Sequence, residues 1–591
     1  MEQISTNTAV HDVVTYDIAV NGSPVDAGLQ LLSMVISKEL NRVPTARLVF
    51  RDGNAADQTF PVSNDTVFVP GGTINIKIGR DSTNAQVFKG IIVKHGIKIK
   101  ENGNSELHIE CKDPSVRMTV GRHSKYFENM TDSQLFDSLI QSYANLQSNP
   151  QSTTPVYKEI VQHHVSDWDF MLLRAEANGM LVFADDGNIN IAVPDTSTQA
   201  VLKVTYGISV LEVEAEMDAR YQWKNVAASS WDYTNQRLFN ADTSSANFKE
   251  NGNINGNDLA DTINLTSYEL RHSGHLIEQE LQDWVNGVML RSRLAKIRGR
   301  AKFSGSTAVK PAVMVDLEGL GDRFNGNVFV TAVKHEIGNG QWDTHIQFGL
   351  DPQGYAHLHK EDLNDAESAG LIGMIGGLQI GIVVQLQNDP DGEDRILVKI
   401  PTIDNNARGI WTRVASLDAG NNRGAFFRPE INDEVIVGFI NDDPRHAVVL
   451  GMLNSSAKPA PIKAQDANDE KGFTTRSNMH VSFNDNTKTI TIDTPAGNSI
   501  VLDESGTKIE IKDQNSNTMT MDASGISLQS LNEIQINAGT NLTLSAGVSL
   551  SIGGVDISMN ADASLSMSGS GNAGLSSSGI TQISGSTVMI N

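Results

Sequence analysis

Apolar and polar residues alternate with a period of two along most of this chain, and the length of each alternating run changes from region to region. In the first third, "VTYDIAVNGSPV" reads as a hairpin, and "TINIKIGRDSTNAQVFKGIIVKHGIKIKENGNSELHIECKD" as a series of strands split by turn residues. Strands at this spacing predict a barrel. Helical spacing interrupts them. After Thr131 and Gln134, a capping pair, Leu135, Phe136, Leu139, Ile140 and Tyr143 form an apolar stripe. "SDWDFMLLRAEANG" predicts a second helix capped by Ser166 and stopped at Asn178-Gly179. A third is expected over "HLIEQELQDWVNGVMLRSRLAKIRG", with strands returning in "VFVTAVKHEI" and "THIQFGL".

Residues 379 to 453 alternate in five compact runs, "LQIGIVVQL", "RILVKIPTI", "GIWTRVASL", "DEVIVGFI" and "HAVVLGML", the size of a small OB-type barrel. The polar, proline-bearing "KPAPIKAQDANDEKG" then predicts a linker. From about residue 480 the pattern becomes a repeat. Apolar pairs two apart recur at Ile490/Ile492, Ile500/Leu502, Ile509/Ile511 and Met519/Met521. They continue through Ile526/Leu528, Ile534/Ile536, Leu542/Leu544, Leu550/Ile552, Ile557/Met559 and Leu565/Met567, and return at Val588/Ile590. From Ile526 the step is seven or eight residues, with Gly, Ser, Asn and Asp between.

Two apolar residues per unit cannot offset an ordering cost of about 1–2 kcal/mol per residue in a lone chain. Three identical chains winding round one axis can close that core and pair their backbones with one another, leaving no open edge. At one layer per unit and the usual strand spacing, the rod would be on the order of 60 Å long. A single-chain β-helix, as in an adhesin stalk, needs longer rungs that stack on themselves.

Composition narrows the function. The formal charge of -24 argues against a nucleic-acid partner. The lone Cys111 sits in an alternating strand, which excludes an intrachain disulfide. Aromatic residues end at Phe483 and basic ones at Lys512, as a narrow bore and a smooth exterior would require. "MEQISTNTAVHDVV" has no basic, apolar leader, so export by a secretory signal is not expected. The uncharged stretch 368–388 is long enough to span a bilayer, but its five glycines and alternating second half predict a joint leading into a strand.

These residues carry a family likeness. "HHVSDWDFMLLRAEANGMLVF", and "GVMLRSRLAKIRGRAKFSG" followed by "FNGNVFVTAVKHEI", resemble the hub of Vgr-type spike proteins of type VI secretion and related contractile injection systems. "DEVIVGF", "DDPRHAVVLG" and the closing Pro pair are similar to that family's OB spike module. The chain departs from the family at Asn432, where Gly is usual, so a different turn is expected there, and it lacks a common Tyr near the module's end.

The resemblance implies a mainly β chain in four parts: a hub of two β-barrels with helices (1–370), an OB-fold domain (371–457), a linker (458–479) and an intertwined triple-stranded β-helix (480–591). It implies a homotrimer under a hexameric tube, beside baseplate proteins, with a PAAR-type tip protein and possible effectors. Assembly would be cytoplasmic, and delivery to the extracellular space or a target cell. Ile526, Leu528, Ile534, Ile536, Leu542, Leu544, Leu550, Ile552, Ile557, Met559, Leu565 and Met567 would line the needle axis, and Val588, Met589 and Ile590 would dock the tip.

Catalytic patterns are not found. There is no Gly-x-Ser-x-Gly elbow and no Gly-Lys pair for a P-loop. His335 begins a zincin-like "HEIGNG" without its second His, and His163-His164 before Asp167 reads as a solvated loop. The interval between OB module and needle is too short for a hydrolase domain, and the repeats run to the last residue. No enzyme activity, metal or cofactor is therefore expected. A phage-type hub with hydrolase activity and a secreted adhesin are the alternatives.

Overall fold

A computed structural model describes residues 2–3, 13–101, 104–246, 248–364 and 366–590. Most of the stretch behind the signal-peptide reading, and Asn591, lie outside the described residues. The chain divides into two units, one of residues 1–428 and 436–450 and the other of 429–435 and 451–591.

The hub is organised by one fourteen-stranded sheet. Alternation places one side of each strand inward: in Thr73–Arg80, Ile74, Ile76 and Ile78 are buried while Lys77 is exposed. Strands Val14–Val20, Leu31–Glu39, Thr45–Arg51, Thr73–Arg80, Thr83–Ile99 and Ser105–Lys112 enclose a first core around Met34, Leu48, Phe50, Phe68 and Phe88. A second core, around Leu202, Val204, Phe303, Val315 and Phe348, lies on the strands between residues 202 and 348. The two are not separate bodies. Strand Gly326–Gly338 places Val328, Val330 and Val333 in the second core and Ile337 in the first, so a single ladder carries both.

The helices cap as their sequences dictate. Thr131 accepts from Gln134 N, and Gln134 reaches back to Thr131 N, opening helix Asp132–Ile140. Ser166 caps Asp167–Ala177, which turns out of the helix at Gly179, φ +66°. The third helix, Glu278–Leu294, starts three residues later than its polarity pattern suggests, at an end without a side-chain cap. It crosses close to Gly179: a Cβ on Gly287 would meet the Gly179 Cα at 2.7 Å. Two facing glycines let these backbones touch. The same helix covers a small sheet of Val226–Asp232, Arg237–Thr243 and Tyr268–His272 that the weak alternation of "VAASSWD" does not announce.

One ion cluster ties the helices together. Asp132, fully buried, accepts two bonds from Arg174, at 2.8 and 2.9 Å, and a third from Asn178; Arg174 also reaches Glu280 at 3.2 Å. At the hub's end, Arg122 donates to the carbonyls of Asp362, Leu363 and Asn364 and to that of His164, holding the chain as it leaves the helical region.

The five strands expected after the joint form a closed barrel: Gln379–Gln385, Ile396–Lys399, Ile410–Val414, Ala447–Met452 and Glu434–Phe439, in that spatial order. Val383, Val398, Val435, Val437 and Val449 fill it. The joint itself is irregular from Leu371 to Leu378. The different turn expected at Asn432 is not found. Its φ is +70°, the left-handed conformation a glycine would supply and one that Asn tolerates better than other side chains. At the "DDPRHAVVLG" turn the Arg445 guanidinium, 2.6 Å from Asp443, holds that carboxyl down at about 2.

Replacing Arg174 by Ala leaves Asp132 buried without its cation. The expected cost is about 3 kcal/mol or more, read as a lowered urea midpoint for the hub transition with the spectrum of the barrel unchanged.

Candidate functional site

Beyond the barrel, seven strands run as an antiparallel meander in chain order: Glu470–Thr474, His480–Asn484, Thr489–Asp493, Ser499–Asp503, Lys508–Lys512, Thr518–Asp522 and Gly525–Gln529. The meander begins inside the stretch read as linker, because Phe473 pairs with Val481. Its turns are written in Asn and Asp. Asn484, Asp503, Asp513 and Asp522 each accept an amide of the turn that follows, which leaves every strand five residues long.

Register stacks the apolar pairs into two rows on one face. One row runs Phe473, Val481, Ile492, Ile500, Ile511, Met519, Leu528; the other runs Phe483, Ile490, Leu502, Ile509, Met521, Ile526. This face is only partly covered among the described residues, and Ile490 to Ile511 remain 37–43% exposed. The strands of this part pair within their own chain, whereas the repeat pattern suggested pairing between chains throughout.

After Gln529 the geometry changes. Among the described residues 530–590 there is no strand and no backbone-to-backbone hydrogen bond. The chain is extended, and it bends at 531–532, 539–540, 547–548, 555–556, 562–563, 570–571, 578–579 and 586. These bends keep the eight-residue rhythm of the sequence, with one step of seven between Val555 and Asp562. In each run of six residues the second and fourth positions are the apolar pair: Ile534/Ile536, Leu542/Leu544, Leu550/Ile552, Leu565/Met567. In the shortened run 557–561 the pair is Ile557/Met559.

The bends also recover two pairs that hydrophobicity alone skips, Ala573/Leu575 and Thr581/Ile583, in which a small or hydroxylated residue holds the first position. Exposure separates the classes. Paired residues from Ile534 to Met567 are 53–71% exposed, while Val548 and Val555, at the bends, point fully outward at 101% and 103%. Of the three residues expected at the tip, Val588 is the least exposed, and Met589 and Ile590 are open. The twelve expected axis residues share one rhythm. Ile526 and Leu528 close the meander's rows, and the other ten belong to the extended segment.

The titratable candidates lie elsewhere and have structural partners. His335 is buried, its Nδ1 3.1 Å from Thr344 Oγ1. Burial, then the charges of Lys38 and His345, push it down to about 3. His163 and His164 belong to strand Tyr157–Val165, not to a loop. Asp167 instead accepts from His123, Tyr143 and Gln162, and those bonds hold its carboxyl below the usual range despite burial. His123 was not legible as its partner, since it lies on a different strand far back in sequence. Among the described residues no cluster of three or more His, Cys, Asp or Glu could hold a metal ion. No described helix is long and apolar enough to cross a membrane.

Residues 379–453, the closed barrel, match the family described as the type VI secretion system/phage-baseplate injector OB domain. A curated relative, the type VI secretion system spike protein VgrG3 of Vibrio cholerae, is 27% identical over 118 residues, 19% of this chain and 12% of the relative's own length. The barrel is thus similar to the injector OB domain of phage baseplates and type VI secretion systems, and a short part of the chain is similar to a VgrG spike protein.

Residues 10–339 match the model described as the Alg8 N-terminal domain, and the chain belongs to that family. Among solved structures, the 43 kDa tail protein of prophage MuSo2 from Shewanella oneidensis is 11% identical, with a TM-score of 0.44 over 57% of this chain and 98% of that one. The Francisella PdpA-VgrG complex gives 10% identity and a TM-score of 0.38 over 88% of this chain and 80% of that one. An Escherichia coli type VI secretion component gives 11% and 0.35, over 74% of this chain and 99% of that one.

His335 supplies a pH test of the hub. The folded state keeps it neutral to about pH 3, while the unfolded chain protonates it from its ordinary 6.5. Its contribution is therefore complete above pH 6.5 and is lost as pH falls toward 3, at up to about 1.4 kcal/mol per pH unit. Urea midpoints of the hub should drop between about pH 6 and pH 4, and His335→Gln should flatten that slope.

Proposed function

We propose that this chain is the chemically inert spike of a contractile injection system, working as a homotrimer. In this reading the hub meets the tube and baseplate, and the C-terminal segment is driven through a target envelope carrying a tip protein and effectors. Assembly takes place in the cytoplasm, and delivery is to the extracellular space or the target cell. The observation that carries the reading is the segment 530–590. It is extended, apolar at alternate positions in an eight-residue rhythm, and without a backbone-to-backbone hydrogen bond among the described residues.

Unpaired amides and carbonyls beside a continuous apolar stripe are a template for other chains, and threefold symmetry satisfies both at once. The meander above has the same need on one face only. Full burial of each half-exposed Ile or Leu there contributes about 1 kcal/mol. Closing the column also makes the mechanical response cooperative: removing one chain strips the apolar stripes and backbone partners from the other two.

The domain reading follows the same line: hub 1–370, OB domain 371–457, linker 458–479 and needle 480–591, with the meander's first strand reaching back to Glu470. The twelve apolar residues from Ile526 to Met567 line the axis. Val588, Met589 and Ile590 form the blunt face for a PAAR-type tip protein.

Native mass measurement of the full chain should give a trimer, and removal of residues 530–591 should shift the population toward monomer. Removal of 588–591 should leave the trimer and abolish tip-protein binding. A stable, folded single chain at micromolar concentration contradicts the reading.

A further inference from the structure

Three chains built of near-identical units face a problem of level. If one slides along the axis by one unit, nearly every apolar pair finds another apolar pair, and only the end layers are lost. Two features of the extended segment break this degeneracy, and we propose that together they form a register lock between three copies of this chain. The proposal rests on the trimeric reading above and goes beyond it, to what fixes the copies level with one another.

The first feature is the seven-residue step. Between the bends at 555–556 and 562–563 the run is one residue short, and Ile557/Met559 take its first and third places instead of the second and fourth. Side chains in extended backbone change face at every residue, so a shift of one turns an apolar pair from the axis to the outside. With the copies level, all three shortened runs coincide and the walls match. After a slip of one unit, a shortened run lies beside full ones at two levels, and at each the pairs no longer face the axis together.

The second feature is the change of side chain below that step. Ala573 and Thr581 take the first position of their pairs, where the units above carry Ile or Leu. Ile580, next to Thr581, does not substitute for it: at 90% exposed it points outward, like the bend valines. Three level Thr581 hydroxyls on a threefold axis can each donate to the next and accept from the last, which satisfies all three. A slipped chain sets its Thr581 against Ala573 or Val588 of its neighbours and buries a hydroxyl without a partner. Ala573 sharpens the match, since a Leu layer displaced against it leaves a void.

The test places a spin label on the full chain at Val548→Cys, an outward bend position; Cys111 is buried and unreactive toward the label. Level copies give a single label-to-label distance. Insertion of one Ser after Asp556, combined with Thr581→Val, should add a second, longer distance while native mass still reports a trimer. Thr581→Ser with the seven-residue step intact should keep the single distance. A single unchanged distance in the combined variant overturns the register lock. A labelled parent that is monomeric by native mass overturns the trimeric reading instead, so the two failures are told apart.

Discussion

Backbone polar groups have to be paired, and among the described residues 530–590 no backbone group pairs with another backbone group of the chain. Everything distinctive about the molecule follows from how that constraint changes along its length. In the hub each strand meets a neighbour from the same chain, and Phe, Met and Trp fill cores wide enough to take them. In the meander the strands still pair internally, but one face is left open. In the final segment, among the described residues, the backbone makes no ladder within the chain and the apolar side chains stay more than half exposed from Ile534 to Met567.

The gradient has a compositional signature with a physical cause. Aromatic rings stop at Phe483, where the chain enters the meander, and basic residues stop at Lys512, near its end. In the proposed trimer, a core closed by three copies would be narrow at its axis, which suits the Ile, Leu, Val and Met that recur in this segment. Turn chemistry changes in parallel. Asp and Asn at the strand ends of the meander accept turn amides and fold the chain back on itself. Beyond Gln529, Gly or Ser stands at five of the eight bends, and no strand pairs back on another.

Much of this was legible in the order of residues. Caps at Thr131 and Ser166, the five barrel strands and the eight-residue rhythm depend on local spacing, and local spacing is what a sequence displays. What escaped was long-range or disguised. The sharing of strand Gly326–Gly338 between two cores, and the bond from His123 to Asp167, join residues that no spacing rule connects. The linker reading failed at Glu470 because a five-residue strand with a single apolar anchor, Phe473, looks like polar coil until its partner is known. Ala573 and Thr581 were passed over because neither is hydrophobic enough to mark a repeat. The backbone bends, not the side chains, identify them.

The central claim is that residues 530–590 owe their order to other copies of the chain. Amide hydrogen exchange on the intact protein measures this directly, since among the described residues no backbone carbonyl of the same chain accepts from those amides. The account predicts strong protection across 533–585, at least equal to that of the meander, and lost cooperatively when the oligomer is dissociated. Exchange there at the rate of an unstructured peptide, in protein whose hub and barrel are fully protected, would contradict it.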